Sequence, residues 1–196
     1  MKTFDHLLDT LNAAAPEDRA EIEALIRRTF QVHRTALVLD MTDFSISVRR
    51  TGILAHLALI RRMQVLCEPP IVAAGGEVVK RDADNVFAVF PTAAQALRAA
   101  EAIQRELAGR GLETADGRSV GASIGIDCGD ILLIRETDFF GDAVNVASKL
   151  GEDLAGRGEI LLSARAWEEA GQPADYAAAE YTVSGMPIAV RRRRFD

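Results

Sequence analysis

Three polar features stand against apolar surroundings in a way that could do chemistry. The run TALVLDMTDFS carries a short apolar segment, Ala36 to Leu39, straight into Asp40. The stretch VVKRDADNVFAVF crowds Lys80, Arg81, Asp82 and Asp84 into five positions between two apolar runs. Further on, GDAVNVASKL places Asn145 and Lys149 four residues apart, on one face of a helix. Two carboxylates at neighbouring strand ends, beside the backbone N–H groups of MTDFS at a helix start, make a site for magnesium and a triphosphate. Mg²⁺ takes one or two carboxylates together with phosphate oxygens, and amides in the first turn of a helix suit the phosphates. Taken singly, each residue also fits a plainer role, because Asp and Asn are common in turns for local reasons.

These groups need a scaffold, and hydrophobic periodicity describes one. Ala36–Leu39 reads as a buried strand. A helical pattern follows through Ile53, Leu57, Ile60 and Met63, and Pro69-Pro70 is expected to stop it near residue 68. Gly75-Gly76 breaks the chain before the alternating runs around residues 80–85, which predict a hairpin. Residues 92–111 read as an alanine-rich amphipathic helix ending at glycine. Residues 120–134 read as strand, glycine-containing turn, strand, and 141–155 as helix. EILLS is a further strand, SARAWEEAG a short helix, and YTVSGMPIAVRRRRF a hairpin. Upstream, Phe4, Leu7, Leu8 and Leu11 form one apolar helical stripe. Ile22, Leu25, Ile26 and Phe30 form a second, with Pro16 near its start. The expected fold is α/β, an α+β sandwich with helices packed on a mainly antiparallel sheet. A short helical segment, 1–32, precedes one domain, 33–196.

Bulk properties exclude several classes. A chain of 196 residues suits one domain with a substantial core. Its 48% apolar and 27% charged content is ordinary for a soluble globular protein. A net charge of −6 gives no reason to expect a nucleic-acid partner. RRRR at 191–194 follows an alternating apolar segment and reads as a solvated strand edge. No apolar run is long enough to span a bilayer, and the N-terminus lacks the core of a signal peptide. Cys67 and Cys128 sit singly in apolar neighbourhoods with no metal-ligand spacing, as core thiols in a reducing compartment do. The expectation is a cytoplasmic protein with no membrane partner. His6, His33 and His56 fall in no motif and read as structural or solvated.

Four segments in order, VLDMTDFS, KRDADNVFAVF, SIGIDCGDIL and DFFGDAVNVASKL, resemble the catalytic domain of the class III nucleotidyl cyclases, the adenylyl and guanylyl cyclases. The likeness covers roughly residues 34–195, and the 44 positions from Asp40 to Asp84 match the family spacing. It implies a ferredoxin-like domain that works as a homodimer, with active sites between the two copies. It implies Asp40 and Asp84 as ligands of two divalent metal ions, Mg²⁺ or Mn²⁺, in one copy. The other copy would supply Lys80 and Asp138 as the base-reading pair and Asn145 and Lys149 as the transition-state pair. Phe44, Ser45 and Arg135 would be further substrate contacts. The implied reaction is attack of the ribose 3′-hydroxyl on the α-phosphorus of a nucleoside triphosphate, expelling pyrophosphate. Metal ions, rather than a histidine, would activate the hydroxyl. Lys149 would offset charge on the α-phosphate, a role comparable to arginines worth roughly 10³–10⁵ in other phosphoryl transfers.

Base choice follows from hydrogen-bond polarity. Adenine offers an amino donor at N6 and an acceptor at N1, which Asp138 and Lys80 can meet. Guanine offers the reverse, so ATP is favoured over GTP, whereas cytosine shows the adenine order and leaves CTP open. Several positions depart from the family pattern. Lys149 stands for a usual arginine and lacks its planar fork. Ala83 stands for the glycine before the second aspartate, which matters if the turn needs a positive φ. Asp43 and Asp127 stand for a frequent glycine and histidine, the stretch from Gly129 to Gly141 is short, and Ser184-Gly185 falls where a lysine–glycine pair is common. These departures keep an alternative open, a cyclase fold that binds nucleotide or a partner without turnover.

Overall fold

The apolar run in the middle of β1 (Gln31–Thr42) is buried on both faces, and the fold follows from what covers each. In the computed structural model, which describes residues 3–42, 52–114, 117–134, 137–183 and 186–195, Leu37, Leu39 and Met41 point to one side of the sheet. Ala36 and Val38 point to the other, as strand periodicity requires. On the first side, α3 (Ile53–Ala73) buries Leu59, Met63, Cys67 and Ile71, and α4 (Ala93–Arg110) buries Ala96, Ala100 and Ile103. On the second, α5 (Asp142–Ser148) packs Ala143, Val144 and Ala147 beside Val38 and Phe87.

The remaining strands are β2 (Glu77–Asp82), β3 (Asn85–Phe90), β4 (Leu112–Glu113), β5 (Ser119–Ile134), β6 (Asp138–Phe140), β7 (Glu159–Ser163), β8 (Ala177–Val183) and β9 (Met186–Arg194). Their order is β2-β3-β1-β5-β7-β9-β8, with β4 and β6 both paired to β5. All neighbours are antiparallel except β5 and β7. The mainly antiparallel α/β architecture expected from the sequence is therefore the one observed. A short helix, α6 (Ala164–Glu169), links β7 to β8. At the N-terminus, α1 (Phe4–Ala13) is capped by Thr3, whose hydroxyl accepts from the His6 amide at 3.3 Å. Pro16 opens α2 (Pro16–Phe30), and β1 begins at the next residue, Gln31. Phe4 meets Phe30 edge-on at 5.1 Å and stacks on Phe140 at 5.8 Å, so the first helix leans on β6. Among the described residues no helix is long and apolar enough to cross a membrane.

Three local expectations are corrected. The first concerns α3, which does not stop near residue 68 but passes through Pro69 and Pro70 to Ala73. Each proline removes a helical N–H, yet Ile71 is fully buried beyond them, and that packing holds the last turn in place. Second, residues 119–134 form one strand rather than two around a glycine turn, because 121–132 pair with β1 without interruption. Third, the arginine run lies in β9, between β7 and β8, and is no edge. Arg191 covers the Trp167 ring at 4.2 Å, and Arg193 reaches Glu101 at 2.9 Å while lying over Phe195 at 4.7 Å. Both guanidinium groups thus lie over aromatic rings, and that of Arg193 also meets a carboxylate.

Gly125 has a packing reason to be glycine. A Cβ there would lie 2.1 Å from the Ala147 carbonyl oxygen and 2.3 Å from the Gly151 nitrogen. Gly125→Ala is expected to push α5 off the sheet and lower stability by about 1–3 kcal/mol, the usual cost of overpacking, read as a lower urea midpoint at unchanged slope.

Candidate active site

The β2–β3 hairpin closes through two residues, Ala83 and Asp84, between the paired Asp82 and Asn85. Ala83 has φ 49°, so the positive φ that glycine would adopt freely is taken up by alanine. For a residue with a Cβ, the left-handed region costs roughly 1–2 kcal/mol. The turn carries Asp84 at its tip, within electrostatic reach of Asp40.

Asp40 lies on the α5 side of β1, in register with Ala36 and Val38, and is half-buried. Burial pushes its carboxyl up, and the charges of Asp84, Glu152 and Asp153 add to that. The amide of Met41 opposes them, and the result is a pKa of about 6 against an ordinary 3.8. Glu152 is also raised, first by burial and then by Asp153, Asp82 and Asp84, against a lowering hydrogen bond from Ser148. Glu152 and Asp153 reach this place because α5 continues as a π-helical stretch, Lys149–Leu154. Its Gly151 backs onto the Val38 carbonyl so closely that a Cβ would sit 2.5 Å from that oxygen. Sequence reasoning missed both acids. The one available sign was the four-residue spacing from Lys149 to Asp153, now seen as an ion pair of 2.5 Å.

Carboxylates therefore gather around Asp40 with more negative charge than Lys149 offsets. Among the described residues no three His, Cys, Asp or Glu side chains converge to hold a metal ion unaided. Two carboxylates in surplus negative charge fit a hard divalent cation of the magnesium kind, which takes one or two carboxylates together with phosphate oxygens.

A second cluster joins β2 to β6. A β-bulge leaves Val79 extra, since Val78 faces Ala88 while Lys80 faces Phe87. Bulges re-aim side chains, and here Lys80 Nζ lies 5.0 Å from the centre of the Phe87 ring. Phe87 packs edge-on against Phe139 at 6.2 Å, which brings β6 over β2. Lys80 Nζ then lies 2.9 Å from Asp138 Oδ1, with both side chains about one-third exposed (34% and 30%). The same oxygen accepts from the Phe139 amide at 2.9 Å. Residues 58 positions apart in the sequence thus form a preassembled donor–acceptor pair.

Asn145 projects from α5 into solvent, and among the described residues its side chain has no hydrogen-bond partner. Phe44, Ser45 and Arg135 lie outside the described residues, as do Asp43, Ser184 and Gly185. Asp127 is fully buried and paired with Arg165. His33, expected to be structural or solvated, sits between Asp130 at 3.3 Å and Glu169 at 3.2 Å. The hydrogen bond to Glu169 is the main cause of its raised pKa, against partial burial.

No protein-family model matches the chain. Among curated proteins, 127 residues, 65% of the chain, are 32% identical to "Putative adenylate cyclase 3" of Rhizobium meliloti (strain 1021), and span 21% of that protein's length. Among solved structures, the adenylate/guanylate cyclase/hydrolase from Silicibacter pomeroyi is 30% identical with a TM-score of 0.70, covering 85% of this chain and 98% of that one. The adenylyl cyclase CyaB from P. aeruginosa has a TM-score of 0.68 over 85% of this chain and 95% of that one; at 18% identity it bears on the fold alone.

Two variants test the electrostatics and strain of the site. A carboxyl raised to about 6 opposes folding once ionised, so its favourable contribution is complete below 3.8 and is lost as pH rises through 6. Asp40→Asn should therefore gain stability over the parent as pH rises from 4 to 7, read from urea midpoints in a chelator. Ala83→Gly should raise stability by about 0.5–1 kcal/mol, read as a higher urea midpoint, relief of a positive φ partly offset by glycine's unfolded-state entropy.

Proposed function

The chain belongs to the class III adenylate and guanylate cyclase family, and on that premise we propose that it converts ATP to 3′,5′-cyclic AMP and pyrophosphate. The observation that carries this reading is the Lys80–Asp138 pair, held at 2.9 Å between β2 and β6. A cation and a carboxylate side by side suit the adjacent N1 acceptor and N6 amino donor of adenine. Guanine would set its O6 acceptor against Asp138 and its N1–H against Lys80, and buried mismatches of that kind can cost roughly 10⁴-fold. Residues 33–196 are the proposed catalytic unit, working as a homodimer with two equivalent sites.

Asp40 and Asp84 would hold two divalent cations, Mg²⁺ or Mn²⁺. When bound, these lower the pKa of the ribose 3′-hydroxyl and neutralise the phosphates. The hydroxyl oxygen forms a bond to the α-phosphorus, the bond from that phosphorus to the α–β bridging oxygen breaks, pyrophosphate leaves, and the hydroxyl proton passes to solvent water. The chain's own side chains orient these atoms. Lys80 donates to N1 and Asp138 accepts from N6, exchanging their mutual contact for contacts with the base. Asn145, exposed and without a partner among the described residues, is free to bond the ribose. Lys149 would offset charge on the α-phosphate after leaving Asp153.

That last exchange favours a second reading. An ammonium held by Asp153 at 2.5 Å, without the fork of an arginine, suits a slow enzyme or a nucleotide-binding module.

Product analysis separates the readings. Purified protein incubated with ATP, GTP, CTP or UTP and Mg²⁺ or Mn²⁺ is expected to yield cyclic AMP as the main product, identified by chromatography and mass. Asp84→Ala should abolish turnover. Asp138→Ala should reduce the preference for ATP over GTP about tenfold or more, the cost of an unsatisfied buried group. ATP bound equally by the parent and Asp84→Ala, with no turnover by either, would favour the binding module and end the metal-site assignment.

A further inference from the structure

One ion cluster outside the groups assigned above touches the helix that carries Asn145. The carboxylate of Asp127, fully buried in β5, accepts from the Ser163 hydroxyl and from Arg165, whose Nε lies at 2.7 Å and whose Nη2 reaches the second oxygen. The same Nη2 donates to Asp142 Oδ2 at 2.7 Å. Asp142 is the first residue of α5, three before Asn145.

We propose that Arg165 is a positioning residue, which ties the N-terminal end of α5 to β5 through Asp142 and so sets the direction from which Asn145 meets the substrate. The proposal rests on the reading of Asn145 as a group that orients the ribose.

The argument starts from how α5 is held. Even with its π-helical continuation to Leu154, the segment is only thirteen residues long, a length that is marginal for an isolated helix. Its buried side chains, Ala143, Val144 and Ala147, are small and set its depth against the sheet more than its direction. Its C-terminal end is fixed by the close backbone approach at Gly125 and Gly151. At the other end, β6 holds the chain to β5 as far as Phe140, and Gly141 lies close against Asp130 and Ile131. The link from Asp142 to Arg165 is the side-chain contact that the first turn of α5 adds to these, and Arg165 is itself anchored on a buried carboxylate. A planar guanidinium can span two carboxylates at once, whereas an ammonium acts as a point charge. Asp142 is 75% exposed, so the link adds little stability. Its value is orientation.

Asp142 also makes the proposal separable from a purely structural role, because changing it leaves the buried Asp127–Arg165 pair intact. Asp142→Asn is expected to keep the urea midpoint and the oligomeric state of the parent. Its kcat should fall about ten- to a hundredfold, as for a reacting geometry displaced by an ångström or less, with the KM for ATP and the metal dependence unchanged. Arg165→Lys should show the same split, and Asp142→Glu should restore part of kcat. Amide hydrogen exchange should quicken in α5 of Asp142→Asn and stay unchanged in β5. An active parent with an unaltered kcat in Asp142→Asn would overturn the proposal, and so would a loss confined to KM. If the parent makes no cyclic product from any triphosphate, the reading of the reaction falls first. Exchange then decides the tether alone, and unchanged protection of α5 overturns it.

Discussion

The pairing of β1 with β5 is the constraint on which the rest of the molecule depends. Twelve consecutive residue pairs, from Gln31 with Leu132 to Thr42 with Gly121, lock two long strands in one register. A slip of one residue would turn every side chain to the opposite face. Asp40 would leave the α5 side, Asp127 would leave its arginine, and Gly125 would no longer sit under Ala147. The ladder also carries β5 out to Ile134, where β6 pairs with it and presents Asp138. One register therefore fixes the position of Asp40 and that of the Lys80–Asp138 pair together.

Charge is organised around this frame in two different ways. At Lys80 and Asp138, opposite charges meet at a half-open edge, braced by the Phe87 and Phe139 rings. Around Asp40, like charges are pressed together and partly desolvated, which is why its carboxyl titrates near 6. Such an arrangement opposes folding of the bare chain and favours whatever cation enters. The positive φ at Ala83, which aims Asp84 at the same spot, adds strain of the kind that collects at functional sites.

Much of this was legible in the sequence because it is local. The apolar alternation around residues 80–85 marked the hairpin, Pro16 marked the start of α2, and the spacing of Asn145 and Lys149 put both on one helix. The motifs also drew attention to Asp40, Asp84, Lys80 and Asp138 before any contact was known. The misreadings have a common cause. Pro69 and Pro70 break helices locally, but Ile71 is buried beyond them. Glycines in 120–134 suggested a turn, yet β1 pairs straight across them. The arginine run suggested an edge, yet β7 and β8 flank it.

By itself, the sequence determined which segments are helices or strands and where ionisable groups interrupt them, because both depend on neighbours within a few residues. Only the tertiary structure decided which of those groups meet. Lys80 finds Asp138 through a bulge and two rings, Glu152 and Asp153 reach Asp40 through a π-helical stretch, and Arg165 joins Asp127 to Asp142. Each of these contacts joins separate elements, and electrostatic interaction depends on distance and burial in space, which short-range patterns do not encode.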